Sequence, residues 1–349
     1  MIKRRKSKII KIGNLKIGGN FPILVQSMTN TNTGNIKKTV KQIKELQSSG
    51  CEIIRVAVPD MESAKAIKEI KKQIKIPLVA DIHFDYELAI ESILQGADKI
   101  RINPGNIGNK EKVWEIIKIA KKKRIPIRIG INSGSLEKEL LEKYGEKDIP
   151  RVMVESAMKS IKLLEGFGFR DIVVSLKSSD VLTTVRAHEL LAKKTNYPFH
   201  LGITEAGTEK IGTIKSAIGI GSLLLKGIGD TIRVSLSAEP VEEVKVGFEI
   251  LKSLKLRERG LTIVSCPTCA RSRIPVEKIA KYVESFSDNF KKPFKIAIMG
   301  CIVNGLGEAR DTDLAIVGMG ENKAGIFKNG KFVKNINKED TMSFLNKIL

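Results

Sequence analysis

Eight short runs rich in β-branched residues recur along the first two thirds of the chain, at residues 22–28, 53–58, 77–82, 99–104, 126–132, 171–177, 198–204 and 230–236. Their starts lie about 30 residues apart, the length of one strand-helix repeat. Between them the apolar positions change to helical spacing, as in Val40, Ile43 and Leu46 after the first run and Val241, Val244, Phe248 and Leu251 after the eighth. Eight such units in about 235 residues predict an α/β fold, a (β/α)8 TIM barrel. An open doubly wound sheet is the alternative, but no Gly-x-Gly-x-x-Gly follows the first strand. The longest gap, after the fifth run, holds residues 136–150. That segment follows a strand and so belongs on the barrel's top face, where substrate loops are found.

After residues 253–260 the rhythm changes. A strand at 261–265 leads to Cys266-Pro-Thr-Cys269, then a helix carrying Val276, Ile279, Val283 and Phe286, a strand at 294–299, and short strands around 313–317 and 325–333. This predicts a substrate-binding barrel over residues 1–254 and a separate small α/β domain over 261–349. A chain of 349 residues, 42% hydrophobic, has material for both cores and is neither disordered nor fibrous.

The 61 Lys and Arg against 39 Asp and Glu give a net charge of +22, which points to an anionic partner: nucleic acid, a membrane surface or phosphate. Lysine runs such as 37–44 and 118–123 read as solvated helix faces. Only 5% of residues are aromatic and Trp114 is the single tryptophan, so little is present to stack nucleic-acid bases. The basic residues 1–11 have no apolar run behind them, and the longest apolar stretch, 217–225, stops at Lys226. Neither a secretory signal nor a membrane span is expected, which makes the cytoplasm the expected location.

Strand alternation assigns an inside and an outside to the barrel. In 53–58 the set Ile54, Val56 and Val58 suits the helix layer and sends Arg55 inward. The same rule sends Arg101 and Asn103, Arg128 and Asn132, and Arg233 and Ser235 inward, while Lys177 closes the sixth strand. Five of eight strands thus aim a cation at the interior or mouth. Asp81, at the end of the third strand, and Glu205, after the seventh, are the acids placed to neutralise some of them. Two acids against five cations leave an excess, and unpaired buried charge is costly, so an anionic ligand is expected. Cations on both sides of the barrel suit two phosphates or a diphosphate. His83 shares the inward set with Asp81 and is a candidate donor or acid. His188 falls in a helix and His200 in the seventh strand.

Four cysteines are too few for a disulfide framework. Cys266, Cys269 and Cys301 can converge on one metal centre, followed by Glu308 in a glycine-rich segment expected to turn. A structural zinc site wants a fourth Cys or His, yet no histidine lies beyond His200 and Cys51 belongs to the barrel's other end. A redox pair of the thioredoxin kind leaves Cys301 unexplained. Three thiolates without a fourth favour an iron-sulfur cluster whose last iron takes a weaker ligand, and Glu308 is the nearest suitable carboxylate.

The segments Val25-Gln-Ser-Met-Thr-Asn-Thr31, Ala80-Asp-Ile-His-Phe-Asp85, Arg101-Ile-Asn-Pro-Gly-Asn106, Leu201-Gly-Ile-Thr-Glu-Ala206, the Cys266/Cys269 pair and Gly300-Cys301 resemble the 4-hydroxy-3-methylbut-2-enyl diphosphate synthase family of the non-mevalonate isoprenoid pathway, in its compact bacterial form. The resemblance implies reductive ring opening and dehydroxylation of 2-C-methyl-D-erythritol 2,4-cyclodiphosphate. It also implies a [4Fe-4S] cluster on Cys266, Cys269, Cys301 and Glu308, and reduced flavodoxin or ferredoxin as electron donor. The substrate-binding residues it implies are Arg55, Asp81, His83, Arg101, Asn103, Arg128, Asn132, Lys177, Glu205, Arg233 and Ser235. Glu205, expected near the barrel mouth, is the candidate for proton handling, and His83 for a binding contact. A head-to-tail homodimer is implied as well. The chain departs from the family pattern at Leu306, where a proline is expected. The competing expectation is a basic nucleic-acid-binding protein with a structural metal site.

Overall fold

Alternating strands and amphipathic helices close into a barrel. The computed structural model describes residues 2–145 and 148–349 and divides the chain into two units, the first ending at Arg257 and the second running Glu258–Leu349. In the first unit a hairpin, β1 (Ile10–Ile12) and β2 (Leu15–Ile17), precedes eight strands: β3 (Leu24–Met28), β4 (Ile53–Ala57), β5 (Leu78–Asp81), β6 (Lys99–Ile102), β7 (Ile127–Asn132), β8 (Ile172–Lys177), β9 (His200–Leu201) and β10 (Thr231–Ile232). They pair in the order β8-β7-β6-β5-β4-β3-β10-β9, and a parallel bridge between Val174 and Phe199 closes the ring.

Helices form where the pattern places them. Helix Ile36–Ser49 starts at Asn35, whose side chain accepts from the Lys38 N–H, ends at the left-handed Gly50 (φ 111°), and buries Val40, Ile43 and Leu46. Those side chains join Ile54, Val56, Ile100, Ile102, Ile127, Ile129 and Ile131 in one apolar layer between helices and sheet. The inward set near the strands' amino ends forms a separate cluster: Leu24, Ile53, Val79 and Val173 pack against Ile10, Ile12 and Ile17 of the hairpin. The hairpin is therefore the barrel's floor.

Two departures from the sequence pattern matter for the site. Runs 198–204 and 230–236 give ladders of only two residues each. Beyond them the backbones approach too closely for ordinary side chains: a Cβ at Gly202 would fall 2.4 Å from Arg233 O, while the Arg233 N–H still donates to Leu201 O at 2.9 Å. The 136–150 segment forms helix Lys138–Tyr144 and the start of helix Ile149–Gly166; residues 146 and 147 lie outside the described residues.

The second unit is a five-stranded sheet ordered β11 (Leu261–Ser265), β12 (Phe294–Met299), β13 (Leu314–Gly320), β14 (Lys323–Lys328), β15 (Lys331–Asn337), parallel through β13 and antiparallel after it. The stretch expected as one short strand around 325–333 is instead a hairpin turning on Asn329 (φ 47°) and Gly330 (φ 75°), the backbone an Asn-Gly turn supplies. Helices Val276–Glu284 and Ile302–Arg310 flank the sheet. Ile279 and Val283 of the first bury against Ile296, Ile298, Leu314 and Ile316. Among the described residues no helix is long and apolar enough to cross a membrane.

Candidate active site

A pocket at the barrel mouth is lined by Arg55, Asp81, His83, Arg101, Arg128, Asn132, Ser175, Lys177, Thr204 and Arg233. Each strand delivers its residue by alternation: Arg55 faces inward between Ile54 and Val56, Arg101 between Ile100 and Ile102, Arg128 between Ile127 and Ile129, and all six of these apolar neighbours are fully buried. Arg55, Arg101, Arg128 and Lys177 are themselves at most 9% exposed. Positions without a side chain make their room. A Cβ at Gly130 would lie 2.3 Å from Arg101 Nε, and one at Gly202 would lie 2.9 Å from Lys177 Nζ.

Asp81 is the hub. Its carboxylate meets Arg101 Nη1 at 3.3 Å, His83 Nε2 at 3.5 Å and Arg55 Nε at 3.8 Å. Burial alone would push this carboxyl up, but Arg55, the His83 hydrogen bond, Arg101 and Arg128 together hold it far below the ordinary carboxylate range. Burial, with the repulsion of Arg233 and Arg101, drives Arg55 down to about 10 against the pull of Asp81. Burial and the surrounding cations likewise push Arg128 and Lys177 well down. His83 Nε2 also stands 2.9 Å from Arg101 Nη1.

The second neutralising acid is Glu243, which the sequence pattern passed over. It projects from helix Pro240–Ser253, accepts from Arg233 Nη2 at 3.2 and 3.3 Å, and is buried with further bonds from Ser27 Oγ and the Leu236 N–H. Glu205, expected in that role, is exposed and outside the pocket lining, and holds a left-handed backbone (φ 50°) just after Thr204. Asn103 also lies outside the lining. Its side chain caps helix Pro104–Ile107, accepting from the Gly105 N–H at 3.2 Å and donating to Asn106 Oδ1 at 3.2 Å. Ser235 is half-buried beyond the end of β10 and outside the lining. Ser175 and Thr204 were not singled out from the sequence, although Ser175 shares Lys177's inward phase two residues earlier. Five lining cations thus face two committed carboxylates, a surplus matched to a polyanion.

In the second unit, Cys266 follows β11, and Cys301 follows β12 at the start of helix Ile302–Arg310. These strands are parallel neighbours with Ser265 opposite Ile298, so the thiols leave adjacent strand ends on one edge of the sheet. The Gly300 N–H donates to Cys266 Sγ at 3.1 Å. The 266–273 loop folds back on this edge through Arg273 N–H to Gly300 O at 2.7 Å, and a Cβ at Gly300 would sit 2.4 Å from Ser272 Oγ. The segment carrying Glu308 is helical rather than a turn. Gly305 packs where a Cβ would meet Val317 Cγ1 at 2.3 Å, so this glycine serves close helix-sheet contact, and Leu306 continues a helix that proline would break. Glu308 lies two turns after Cys301 and is exposed. All four cysteines are free thiols, and Cys51 is buried in the barrel's apolar layer, where burial pushes its thiol up to about 12. Three accessible soft donors on one edge, one already receiving a backbone N–H at sulfur, fit an iron-sulfur cluster in their chemistry. Among the described residues, however, no three His, Cys, Asp or Glu side chains are gathered at coordinating range.

Fold and pocket together define a TIM-barrel protein with a cation-lined mouth, followed by a thiol-bearing α/β unit. Residues 7–248 match the GcpE TIM-barrel domain and residues 262–349 the GcpE protein C-terminal domain, and the chain belongs to this family. It is 60% identical over 346 residues to a protein of Caldanaerobacter subterraneus subsp. tengcongensis, covering 99% of this chain and 97% of that one. It is 55% identical over 348 residues to one of Clostridium perfringens, covering 100% and 99%. Both relatives are named 4-hydroxy-3-methylbut-2-en-1-yl diphosphate synthase (flavodoxin). Among solved structures, the dihydropteroate synthases of Stenotrophomonas maltophilia (TM-score 0.52, 12% identity, 71% of this chain and 97% of that one) and Yersinia pestis (TM-score 0.51, 12% identity, 71% and 99%) share the barrel fold.

Proposed function

We propose that this chain reduces 2-C-methyl-D-erythritol 2,4-cyclodiphosphate to 4-hydroxy-3-methylbut-2-enyl diphosphate, using electrons from reduced flavodoxin and a [4Fe-4S] cluster held by Cys266, Cys269, Cys301 and Glu308. The observation that carries this reading is the cation surplus at the barrel mouth, in a chain aligned over nearly its full length with relatives named for this reaction. Two electrons and two protons open the ring, expel one hydroxyl as water and leave the linear diphosphate. The cluster supplies single-electron reduction.

The chain's own residues do the rest. Arg55, Arg101, Arg128, Lys177 and Arg233 hold the diphosphate oxygens, with forked guanidinium donors where two oxygens are presented. Asp81 fixes Arg55 and Arg101, Glu243 fixes Arg233, and His83 and Asn132 add polar contacts at the rim. Glu205 is assigned to proton handling. Its left-handed backbone, unusual for a residue with a side chain, supports a functional constraint at that turn. The assembly is proposed as a head-to-tail homodimer, on family resemblance, and the free thiols suit a reducing cytoplasm.

Anaerobic purification followed by iron and sulfide analysis, and turnover of the cyclodiphosphate with reduced flavodoxin, test this reading together. Cys269→Ser is expected to lose the cluster's visible absorbance and the activity while the barrel stays folded. Full turnover by an iron-free protein overturns the assignment.

A further inference from the structure

Beneath the pocket the barrel holds a second polar level that binding and chemistry have not used. Lys99, two residues before Arg101 on β6, and His200 of β9 are fully buried, and neither lines the pocket. Among the described residues Lys99 Nζ has no hydrogen-bond partner, and the same is true of Arg128 Nε, Gln26 Nε2 and His200 Nε2. An ammonium here needs an acceptor or a counter-charge, and the groups around it supply neither. Arg55 on β4, Arg128 on β7 and Arg233 just after β10 are cationic, as is Lys177 on β8, which burial also pushes down but which opens on the pocket. Gln26 on β3 has its Oε1 taken by Arg128 Nη1 at 3.5 Å, and His200 has its Nδ1 2.9 Å from Thr231 Oγ1. The two carboxylates are taken: Asp81 on β5 by Arg55, Arg101 and His83, and Glu243 by Arg233.

We infer that Lys99 is a cation recruited by the substrate, a neutral amine in the free enzyme that takes up a proton when the cyclic diphosphate occupies the pocket above it. This rests on reading the pocket as a diphosphate site. Burial first, then the charges of Arg128 and Arg55, push Lys99 well below the ordinary lysine range. Two anionic phosphates seated on those arginines cancel the repulsion, so the same amine can hold its proton. The bound form then carries more protons than the free form, and affinity rises as pH falls through the window between the free and bound titration points. Lys99 thereby favours a doubly charged ligand over a singly charged one without touching it.

Calorimetry of cyclodiphosphate binding to the full-length protein, without reductant and in two buffers of different ionisation enthalpy, measures this at about pH 7.5. Each phosphorus of the ring carries one carbon ester, one anhydride bridge and one strongly acidic hydroxyl, so the ligand contributes no proton change. Net uptake of a large fraction of a proton is expected, abolished in Lys99→Met while binding persists, and retained in His200→Gln. In the wild-type protein, 15N-lysine NMR should show one side-chain nitrogen passing from amine to ammonium on binding, which needs no variant to fold. Binding without uptake, uptake unchanged in Lys99→Met, or no such NMR transition overturns the inference. Absence of any binding heat in the wild type instead overturns the diphosphate reading itself, and the inference falls with it.

Discussion

At the residue scale, the barrel's cations are seated by what two of their neighbours lack. Gly130 is an inward position of β7 whose missing Cβ leaves space for Arg101 Nε, while Gly130 O accepts from Arg101 Nη2 at 3.3 Å. Gly130→Ala should swing Arg101 off Asp81 and out of the pocket, raising KM for the cyclodiphosphate tenfold or more, on the order of 1.4 kcal/mol, with a smaller change in kcat and no change in iron content. Steady-state kinetics beside iron analysis reads this out, and an unchanged KM rejects the seating role. Alternation made the inward Arg55, Arg101, Arg128 and Arg233 legible, because each stands between apolar residues that must face the helices. It said nothing of how the charges pair. Glu243 belongs to a helix whose period is carried by Val241, Val244, Phe248 and Leu251, so a single acid on its inner edge left no pattern. Asn103 has the right phase but spends its amide on a cap, a competition between local and site chemistry that strand period does not record.

At the scale of elements, the strand-helix rhythm was readable because each unit repeats the same two periods, and the strands 261–265 and 294–299 coincide with β11 and β12. Hairpins were harder. β14 and β15 meet at Lys328-Asn-Gly-Lys331, where the turn residues are the signal and the flanking residues of β15 are mostly exposed, so no apolar alternation marks the second strand. The β1-β2 floor went unread although Ile10-Lys-Ile-Gly-Asn-Leu-Lys-Ile17 alternates around a Gly-Asn turn, because lysines dominate the surrounding segment. The floor nonetheless covers the barrel's inner apolar layer: Ile12 is 0% exposed and packs with Leu24, Ile53, Val79 and Val173. Ile12→Ala should therefore cost about 2–5 kcal/mol in urea unfolding of the barrel. KM should stay near wild type, since the substitution lies at the strands' amino ends and the pocket at their carboxyl ends. A loss below about 1 kcal/mol would mean that the floor is dispensable.

At the scale of the whole molecule, each unit has its own buried apolar clusters, and those of the barrel share no residue with those of the five-stranded sheet, so damage to one unit's site should leave the other unit folded. Barrel cations and cluster thiols must nevertheless serve one reaction if the proposed function holds, and the head-to-tail assembly makes a sharp claim about which copies cooperate. Lys177→Ala removes a pocket cation proposed to hold phosphate and leaves the thiols intact; Cys266→Ser does the reverse, and each parent dimer should be inactive. In a purified heterodimer carrying one chain of each kind, sharing between copies puts both defects in one site and leaves the other with an intact barrel and an intact set of thiols. That heterodimer should recover about half of the wild-type activity per dimer, because one of two equivalent sites is whole. If each barrel instead works with the thiols of its own chain, both sites stay defective and no activity returns. Differential affinity tags isolate the mixed species, and mass spectrometry of the intact dimer verifies its composition. Recovery can then come only from sites built across two copies, and its absence in the verified heterodimer rejects the shared assembly while leaving the barrel pocket and the thiol edge as two parts of one chain's site.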